Sequence, residues 1–545
     1  MEQQSETFDA IVIGGGITGM YQAYLLREAG MRVRGYEAGG DFGGTWYWNR
    51  YPGCRLDTES YAYGYFAMKG IIPEWTWNER FAGQPDLLRY ALAAAERMGI
   101  RELFRFNTRI AAAHYDEAAN QWEVRSEDGA TARCRMLISA AGPLSATRMP
   151  DIPGIDTFKG ESFHSSRWPI DDADPTRPRQ VDFTGKRVGV IGTGATGVQI
   201  IPIVAQSAQH LHVFQRSPNW CVPLGNGPLP KEEMDKLRAN YDEFLDFLKS
   251  TPTSFPYARS TKKASQDTPE ERQALFESLY NMPGYGIWLS GYRDLLVNPK
   301  SNKYLADFVA DKIRQRVKDP LVAEKLTPKN HPFGTRRVPM ETRYYEVYNQ
   351  PNVHLVDINE TPIVRVNERG IETSAGQVDL DIIIYATGFD AVTGALDRID
   401  IRGKGGQALK DAWREGPVTY LGLQIAGFPN FFTLVGAHNG AAFCNIGVCG
   451  GLQAEWVARM LTTLRDQGKT YSEPEPAAQE AWTQKCYEDF SKTLLTEGDA
   501  WWVKSTTNPD GTVTRRTLIF AGEGPVYRAI CEDVHNNGYT GFTLR

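Results

Sequence analysis

FDAIVIGGGITGM, residues 8–20, decides the fold, continued after an amphipathic run by VRGYEAGGDFGGTWYWNRYPGCRLD, residues 33–57. Phe8 to Ile13 is an apolar run of strand length. Gly14, Gly16 and Gly19 follow as G-x-G-x-x-G, where that strand turns into a helix. The first glycine permits the tight turn, the second lets a pyrophosphate approach the backbone, and the third lets helix and strand pack closely. The helix N-terminus then faces its free amide groups toward the phosphates. Met20, Ala23, Tyr24 and Leu26 give the helix an apolar face, and Gly30 fits just beyond its last turn. Met31 to Tyr36 reads as the second strand. Glu37, 23 residues beyond Gly14, stands where a carboxylate accepts both ribose hydroxyls of an adenosine. The stretch predicts a dinucleotide site, against the plainer alternative of a glycine-rich turn in another α/β protein. It leaves FAD and NAD both open.

A chain of 545 residues exceeds one ordinary core, so two to four domains are expected. A net charge of -6 suits a soluble protein and argues against a nucleic-acid surface. The seven cysteines are scattered and odd in number, which fits a reducing, cytoplasmic compartment better than a disulfide framework. The start MEQQSET has neither the basic nor the apolar region of a secretory leader. The apolar run from Phe431 to Gly450 is broken by His438, Asn439, Asn445 and several glycines, so no membrane span is expected. The histidines read as dispersed, and no metal site is expected.

Outward from the first stretch, residues 51–80 lack steady periodicity and read as ordered loops and turns. Gln84 to Met98 is a helix by its apolar spacing, and Ile110–His114, Trp122–Arg125 and Ala132–Ser139 are short strands. A second unit begins at the strand Arg187–Ile191. Gly192, Gly194 and Gly197 repeat the glycine pattern, Val198–Ala208 continues as a helix, and His210–Phe214 is the next strand. The position of the ribose-binding acid is now basic: Arg216 lies 24 residues after Gly192. A guanidinium there suits a 2'-phosphate and favours NADPH over NADH; a solvated surface arginine is the alternative. Residues 225–330 break the α/β rhythm with charged helical pieces, including 231–249 and 304–318. Strands resume at Asn352–Val356, Ile363–Val366 and Leu380–Ile384, the last running into Ala386-Thr387-Gly388.

The fold class is therefore α/β: two Rossmann-like dinucleotide-binding domains with a mainly helical insertion. The expected division assigns 1–145 and 381–545 to the first, 146–224 and 331–380 to the second, and 225–330 to the insertion. Two such folds in one chain suggest hydride passing from a nicotinamide to a flavin, which then meets oxygen, a disulfide or another acceptor. No Cys-x-x-x-x-Cys follows the first loop. Cys444 and Cys449 have that spacing but lie in the last quarter of the chain, where they read as small core residues. Oxygen is the expected acceptor. The densest motif outside the glycine loops is FKGESFHSSRWP, residues 158–169. Its aromatic residues and His164 either plug a hinge or transmit domain movement to the active site.

At this motif the sequence resembles the type I Baeyer–Villiger monooxygenases, whose fingerprint is F-x-G-x-x-x-H-x-x-x-W-P/D between two glycine loops. Here it is Phe158, Gly160, His164, Trp168 and Pro169. The resemblance runs through GGTWYWNRYPG (43–53), GVIGTGATG (189–197), FGTRR (333–337), YYEVYNQPNVHLVD (344–357), ATGFDAVTGAL (386–396) and GFPNFF (427–432). It lies nearest to the phenylacetone- and steroid-type members. It implies FAD, NADPH and molecular oxygen, and oxidation of a ketone to an ester or lactone through a flavin C4a-peroxide.

By the same resemblance Arg337 is the active-site arginine, and Asp57 the acid that orients it. Arg216 and Arg336 match the basic pair at the 2'-phosphate, where members often carry Lys at the second position. Thr193 and Ala195 fall beneath the coenzyme pyrophosphate, and Trp46 and Tyr63 beside the flavin. Trp501 resembles a mobile tryptophan that folds over NADP+, although Trp502 is its neighbour. His164 supports coenzyme binding and domain positioning. Departures gather around the substrate, at HNGAAFC (438–444) and at Ile287, Trp288 and Leu289. They leave a bulky aromatic or polycyclic ketone and a small cyclic or linear one both open. A monomer is expected. The competing readings are a flavin monooxygenase that oxidises sulfur or nitrogen of soft nucleophiles, and a non-enzymatic flavin-binding redox sensor.

Overall fold

The computed structural model describes residues 6–174, 176–439, 444–507 and 510–545, apart from the side chain of Thr507. Positions 440–443 of the HNGAAFC segment therefore lie outside the described residues.

The chain opens with β1 (Glu6–Ile13), α1 (Ile17–Glu28) and β2 (Val33–Tyr36). Loops and single turns lead to α2 (Gln84–Met98) and the short β3 (Phe104–Arg105). A meander follows: β4 (Ile110–Asp116), β5 (Gln121–Ser126) and β6 (Thr131–Ser139). Then come β7 (Glu161–His164), β8 (Arg187–Ile191), α3 (Ala195–Val204) and β9 (His210–Gln215). The insertion is helical, with α4 (Pro299–Arg316) its longest helix. Next are β10 (Val353–Asp357), β11 (Ile382–Tyr385), β12 (Asp400–Arg402), β13 (Phe431–Thr433), α5 (Ile446–Asp466) and α6 (Gly524–Asn536).

Two sheets organise these elements. The first runs β12-β4-β5-β6-β1-β2-β3, with β13 also paired to β6. β1 lies parallel between β2 and β6, so Ile13 is level with both Tyr36 and Ser139. Both faces of β1 are buried. Ala10 and Val12 pack in the core that includes α1 and α5, while Ile11 and Ile13 face a second core containing Trp122, Trp413 and Phe428. That two-sided burial explains the unbroken apolar run. The second sheet, β10-β9-β8-β11-β7, is parallel throughout. α2 shows how local signals bound an element. Pro85 sits in its first turn, and Gly99 closes it in the left-handed region at φ +61°.

Several sequence expectations are corrected. β11 pairs with both β8 and β7, so Ile382–Tyr385 belongs to the second sheet and the boundary at 381 falls too early. The apolar run had looked like a return to the first unit because a fully buried parallel strand reads the same in either sheet. The helix after the second glycine loop spans Ala195–Val204 rather than 198–208. The stretch 231–249 is two helices, Lys231–Ala239 and Tyr241–Ser250, broken at Asn240 where φ is -130°. The turn into α5 brings Cys444 and Cys449 side by side, with their Cα atoms 6.2 Å apart. The other five cysteines are free and buried.

The histidines are not dispersed either. Adjacent strands β9 and β10 bring His210, His212 and His354 together, with His210 Nδ1 3.2 Å from His354 Nε2. Among the described residues no group of His, Cys, Asp and Glu side chains could hold a metal ion. Burial, then the neighbouring His354 and His210, push the pKa of His212 down to about 4. The fold disfavours its protonation, so this contribution to stability is intact above about pH 6.5 and is lost as pH falls toward about 4. His212→Gln should flatten that decline, measured as urea midpoints across this range; an unchanged pH dependence would exclude His212 as its source.

The insertion is fastened to the second unit by charge. Arg316, at the end of α4, donates bidentately to Glu346 (2.6 and 2.8 Å) and through Nη1 to Glu341 (2.7 Å). Glu341 is buried, in the short strand Met340–Glu341 that pairs with Val222–Pro223. Breaking a buried pair from one side strands the other charge. Arg316→Ala should therefore destabilise the fold by about 3–5 kcal/mol in denaturant unfolding. Arg316→Ala with Glu341→Met should recover part of that loss. No recovery would mean that the ion pair is not the cause.

Candidate active site

The two glycine loops are built alike. In the first, Gly14 has φ +110°, and a Cβ there would lie 2.3 Å from Ala140 O. A Cβ on Gly19 would lie 2.0 Å from Gly14 O, so strand and helix meet closer than any side chain permits. In the second, the matching distances are 2.4 Å from Gly192 to Ala386 O and 2.2 Å from Gly197 to Gly192 O. The middle glycines differ. A Cβ on Gly194 would meet nothing within 4 Å, and one on Gly16 only Gly44 Cα at 3.6 Å. They border open space at the N-termini of α1 and α3. Neither helix has a side-chain cap or an acid in its first turn, so free amide groups and the helix dipole face that space. A pyrophosphate fits both positions.

The strand ends carry opposite charges. Glu37, just after β2, is buried, and its carboxylate accepts from Gly15 N–H and Gly39 N–H, each at 2.6 Å. It is fixed as an acceptor at the adenosine end. At the second site Thr193 donates to Ser217 O at 3.0 Å, so its hydroxyl ties the glycine loop to the loop after β9. Ala195 opens α3. Arg216 is exposed, and its carbonyl is held by Asn359 Nδ2 at 2.6 Å. Burial lowers the pKa of Arg336; Asp499 opposes the shift, and the nearby Arg216 adds to it. Arg336 Nε is buried without a hydrogen-bond partner. Arg336, with an unused donor, lies within the field of the Arg216 guanidinium, an arrangement that suits a dianionic group.

Arg337 and Asp57, 280 residues apart, meet in a bidentate pair. Arg337 Nη2 donates to Oδ1 and Oδ2 at 2.7 Å each, and Nε donates to Oδ2 at 3.0 Å. The side chains are 32% and 20% exposed, so the pair borders open space rather than being sealed in the core. Despite burial, Asp57 and then Tyr285 raise the pKa of Arg337, and the guanidinium stays charged throughout the working range. Asn219 Nδ2 holds the Arg337 carbonyl at 3.4 Å. Trp46 and Tyr63, both buried, meet edge to face, with Trp46 Nε1 donating to Tyr63 OH at 3.0 Å.

A third residue completes the pair and was not singled out from sequence. Tyr285, fully buried in the insertion, places its hydroxyl 2.7 Å from Asp57 Oδ2 and 3.1 Å from Val338 O, with its ring 5.9 Å from the Arg337 guanidinium carbon. Tyr285 N–H donates to Tyr257 OH at 2.7 Å, and Tyr257 OH donates to Glu59. Burial pushes the Glu59 carboxyl up to about 7. The only sequence hint was position: Tyr285 lies two residues before Ile287, where the substrate region had been expected, and Glu59 two after Asp57.

The fingerprint motif joins the two units. His164 ends β7, opposite Tyr385 of β11. Its Nδ1 accepts from Ser166 N–H (3.2 Å) and from Ser166 Oγ (2.9 Å), which leaves the proton on Nε2. Burial and then Arg167 lower its pKa, against a smaller pull from the carbonyls of Gly388 and Arg148. Those carbonyls lie outside hydrogen-bond geometry, and Nε2 is buried without a partner. Arg167 stacks on Trp48 of the first unit at 4.3 Å. Trp168 packs on Phe163 and Phe183. A second latch lies nearby: Tyr51 OH donates to Gln199 Oε1 at 2.9 Å, and Gln199 Nε2 donates to Arg55 O at 3.2 Å. Trp501 is half-buried against Leu144 and Val392, whereas Trp502 is fully buried beneath it. Of the two, Trp501 is the more exposed. Its segment reaches the basic pair, since a Cβ on Gly498 would lie 2.3 Å from Thr335 O.

Residues 12–67 match the NAD(P)-binding Rossmann-like domain family. The chain is 66% identical to a 2-oxo-Δ3-4,5,5-trimethylcyclopentenylacetyl-CoA monooxygenase of Pseudomonas putida, covering 99% of each chain. It is 40% identical to a Baeyer–Villiger monooxygenase of Pseudooceanicola batsensis, covering 98% of this chain and 95% of that one. Among solved structures, a complex of OTEMO with FAD and NADP superposes with a TM-score of 0.96 at 65% identity, over 99% of this chain and 100% of the other. No helix among the described residues is long and apolar enough to cross a membrane.

The basic pair gives a direct test. Arg216→Ala should raise the KM for NADPH about 10- to 100-fold, as loss of hydrogen bonds to a charged group does, and should alter that for NADH far less. Equal loss for both coenzymes would remove the 2'-phosphate from its role.

Proposed function

This chain belongs to the Baeyer–Villiger monooxygenases, and we propose that it oxidises a substituted cyclic ketone in a chamber centred on the Arg337–Asp57 pair. The reaction class is NADPH- and oxygen-dependent conversion of ketones to esters or lactones, with FAD and NADPH as cofactors. Bound FAD, once reduced by NADPH, supplies the activated oxygen that is inserted beside the carbonyl. The first glycine loop with Glu37, together with Trp46 and Tyr63, holds FAD. The second loop with Thr193, Ala195, Arg216 and Arg336 holds NADPH, and Trp501 covers it. His164 is a positioning residue at the joint between the units.

The observation that carries this reading is the Arg337–Asp57 contact. When the ketone carbon becomes tetrahedral, its oxygen turns anionic. A permanently charged guanidinium bordering open space stabilises that charge without reorganising. Asp57 fixes the guanidinium plane, and the Tyr285 hydroxyl fixes Asp57. Asp57 also leaves Arg337 with one orientation rather than the several an unpaired arginine samples. A charged partner of this kind favours insertion at a carbonyl over oxygen transfer to sulfur or nitrogen, which remains a side reaction.

The ketone is proposed to be cyclic because the relative with 66% identity is a cyclopentenylacetyl-CoA monooxygenase. We place the enzyme in the cytoplasm on its five free buried thiols, and as a monomer because both nucleotide loops and the Arg337–Asp57 pair come from one chain.

Incubation with NADPH, oxygen and a panel of cyclic ketones should give products one oxygen heavier, read by mass. Sulfide oxidation with no ketone conversion would sink the proposal. Arg337→Ala should keep flavin reduction in stopped flow but abolish ester formation. Tyr285→Phe should slow ester formation by about ten-fold, as loss of one charge-assisted hydrogen bond does. If Arg337→Ala lost only reduction, with ester chemistry intact on chemically reduced flavin, its role would lie elsewhere.

A further inference from the structure

A cavity of about 750 Å³ lies behind the first unit, walled by α1, α5 and α6. Tyr21 and Leu25 of α1 face it from one side, Leu452, Trp456 and Ala458 of α5 from another, and Arg528 of α6 from the third. None of Asp57, Arg337, Trp46 or Tyr63 lines it, although Asn439 and Cys444 of the HNGAAFC segment do. Its size falls in the range of small-molecule sites, and its walls are mainly apolar.

Its charges are almost all spoken for. Glu455 accepts from Tyr21 OH at 2.8 Å and Tyr65 OH at 2.9 Å, and pairs with Lys69 Nζ at 2.9 Å. Glu532 pairs bidentately with Arg459. Glu523, the residue before α6, pairs with Arg259. Arg528 is the exception: among the described residues it has no ion pair, and burial lowers its pKa with only the Cys531 thiol opposing. A half-buried guanidinium without a carboxylate is costly unless a ligand supplies one.

α6 is 13 residues long, with Glu523 as its N-cap residue; its Gly524 N–H donates to Pro252 O at 2.6 Å, and Pro525 brings no N–H. A guanidinium nitrogen of Arg528 lies 3.2 Å from where a Cβ on Gly524 would stand, so the charge sits over that first turn. The arginine thus presents its charge at one end of an apolar cavity.

We propose that this cavity binds an apolar monocarboxylate, with its carboxylate on Arg528 and its hydrocarbon body against Leu25, Leu452, Trp456 and Ala458. The carboxylate satisfies the unpaired guanidinium, and the chain fills the apolar remainder.

The test uses the FAD-loaded enzyme, with decanoate as probe and 1-decanol as its uncharged counterpart, followed by titration calorimetry. Decanoate should bind at one saturable site, and the alcohol at least about ten-fold more weakly. Arg528→Gln should weaken decanoate by a similar factor. Ala458→Trp, which fills the cavity without touching the charge, should abolish binding of both while ketone oxidation continues. Arg337→Ala should leave decanoate binding unchanged. Three results would overturn the proposal: no binding of decanoate, equal binding to Arg528→Gln and Ala458→Trp enzymes, or loss of binding in Arg337→Ala. The last would move the probe into the ketone chamber.

Discussion

The structure turns on one ion pair. Asp57 comes from the loop after the second strand, Arg337 from the segment that follows the insertion, and Tyr285 from inside the insertion. A carboxylate and a guanidinium drawn out of water lose hydration that only close mutual bonds restore. The two-pronged contact and the Tyr285 hydroxyl supply them. Losing either partner would leave the other charge partly buried and unpaired. The helical insertion is therefore part of the reactive centre. Arg316 fastens it by Glu341, four residues beyond Arg337, and Tyr285 reaches back to the acid.

Around that pair the same nucleotide cradle is made twice. In each copy the outer glycines close a gap that no side chain can enter, and the middle glycine opens onto the phosphate position. What separates the copies is the charge at the strand end. Glu37, locked by two backbone amides, suits neutral hydroxyls; Arg216 beside Arg336 suits a phosphate. Two nearly identical backbones thus differ at the strand end by one electrostatic feature.

The parts legible in sequence are those that local chemistry dictates. The glycine loops, α2 and the strands of the meander could be read because steric need and apolar period act within a few residues. The resemblance supplied Arg337 and Asp57, since nothing within 280 residues of chain signals that they meet. Tyr285 and Glu59 stayed hidden because their roles arise only when the insertion folds onto the first unit. β11 was put with the wrong sheet because a wholly buried strand carries no mark of its neighbours. Two members of the histidine cluster, His210 and His212, stand in the sequence as His-x-His, a local signal passed over; only His354 needs β10 laid beside β9 to join them.

The link between Tyr51, Arg55 and Gln199 has a consequence for recombining relatives. Gln199 sits on the coenzyme-side helix, yet its side chain grips the loop that carries Asp57 two residues further on. Gly53 reinforces the contact, since a Cβ there would lie 2.7 Å from Gln199 O. Transplanting the second nucleotide unit as a block would sever this grip and change the setting of Asp57. A chimera that keeps its chemistry has to inherit residues 51–55 and the helix around Gln199 from the same parent. The crossover points that divide these proteins by cofactor are not those that divide them by working parts.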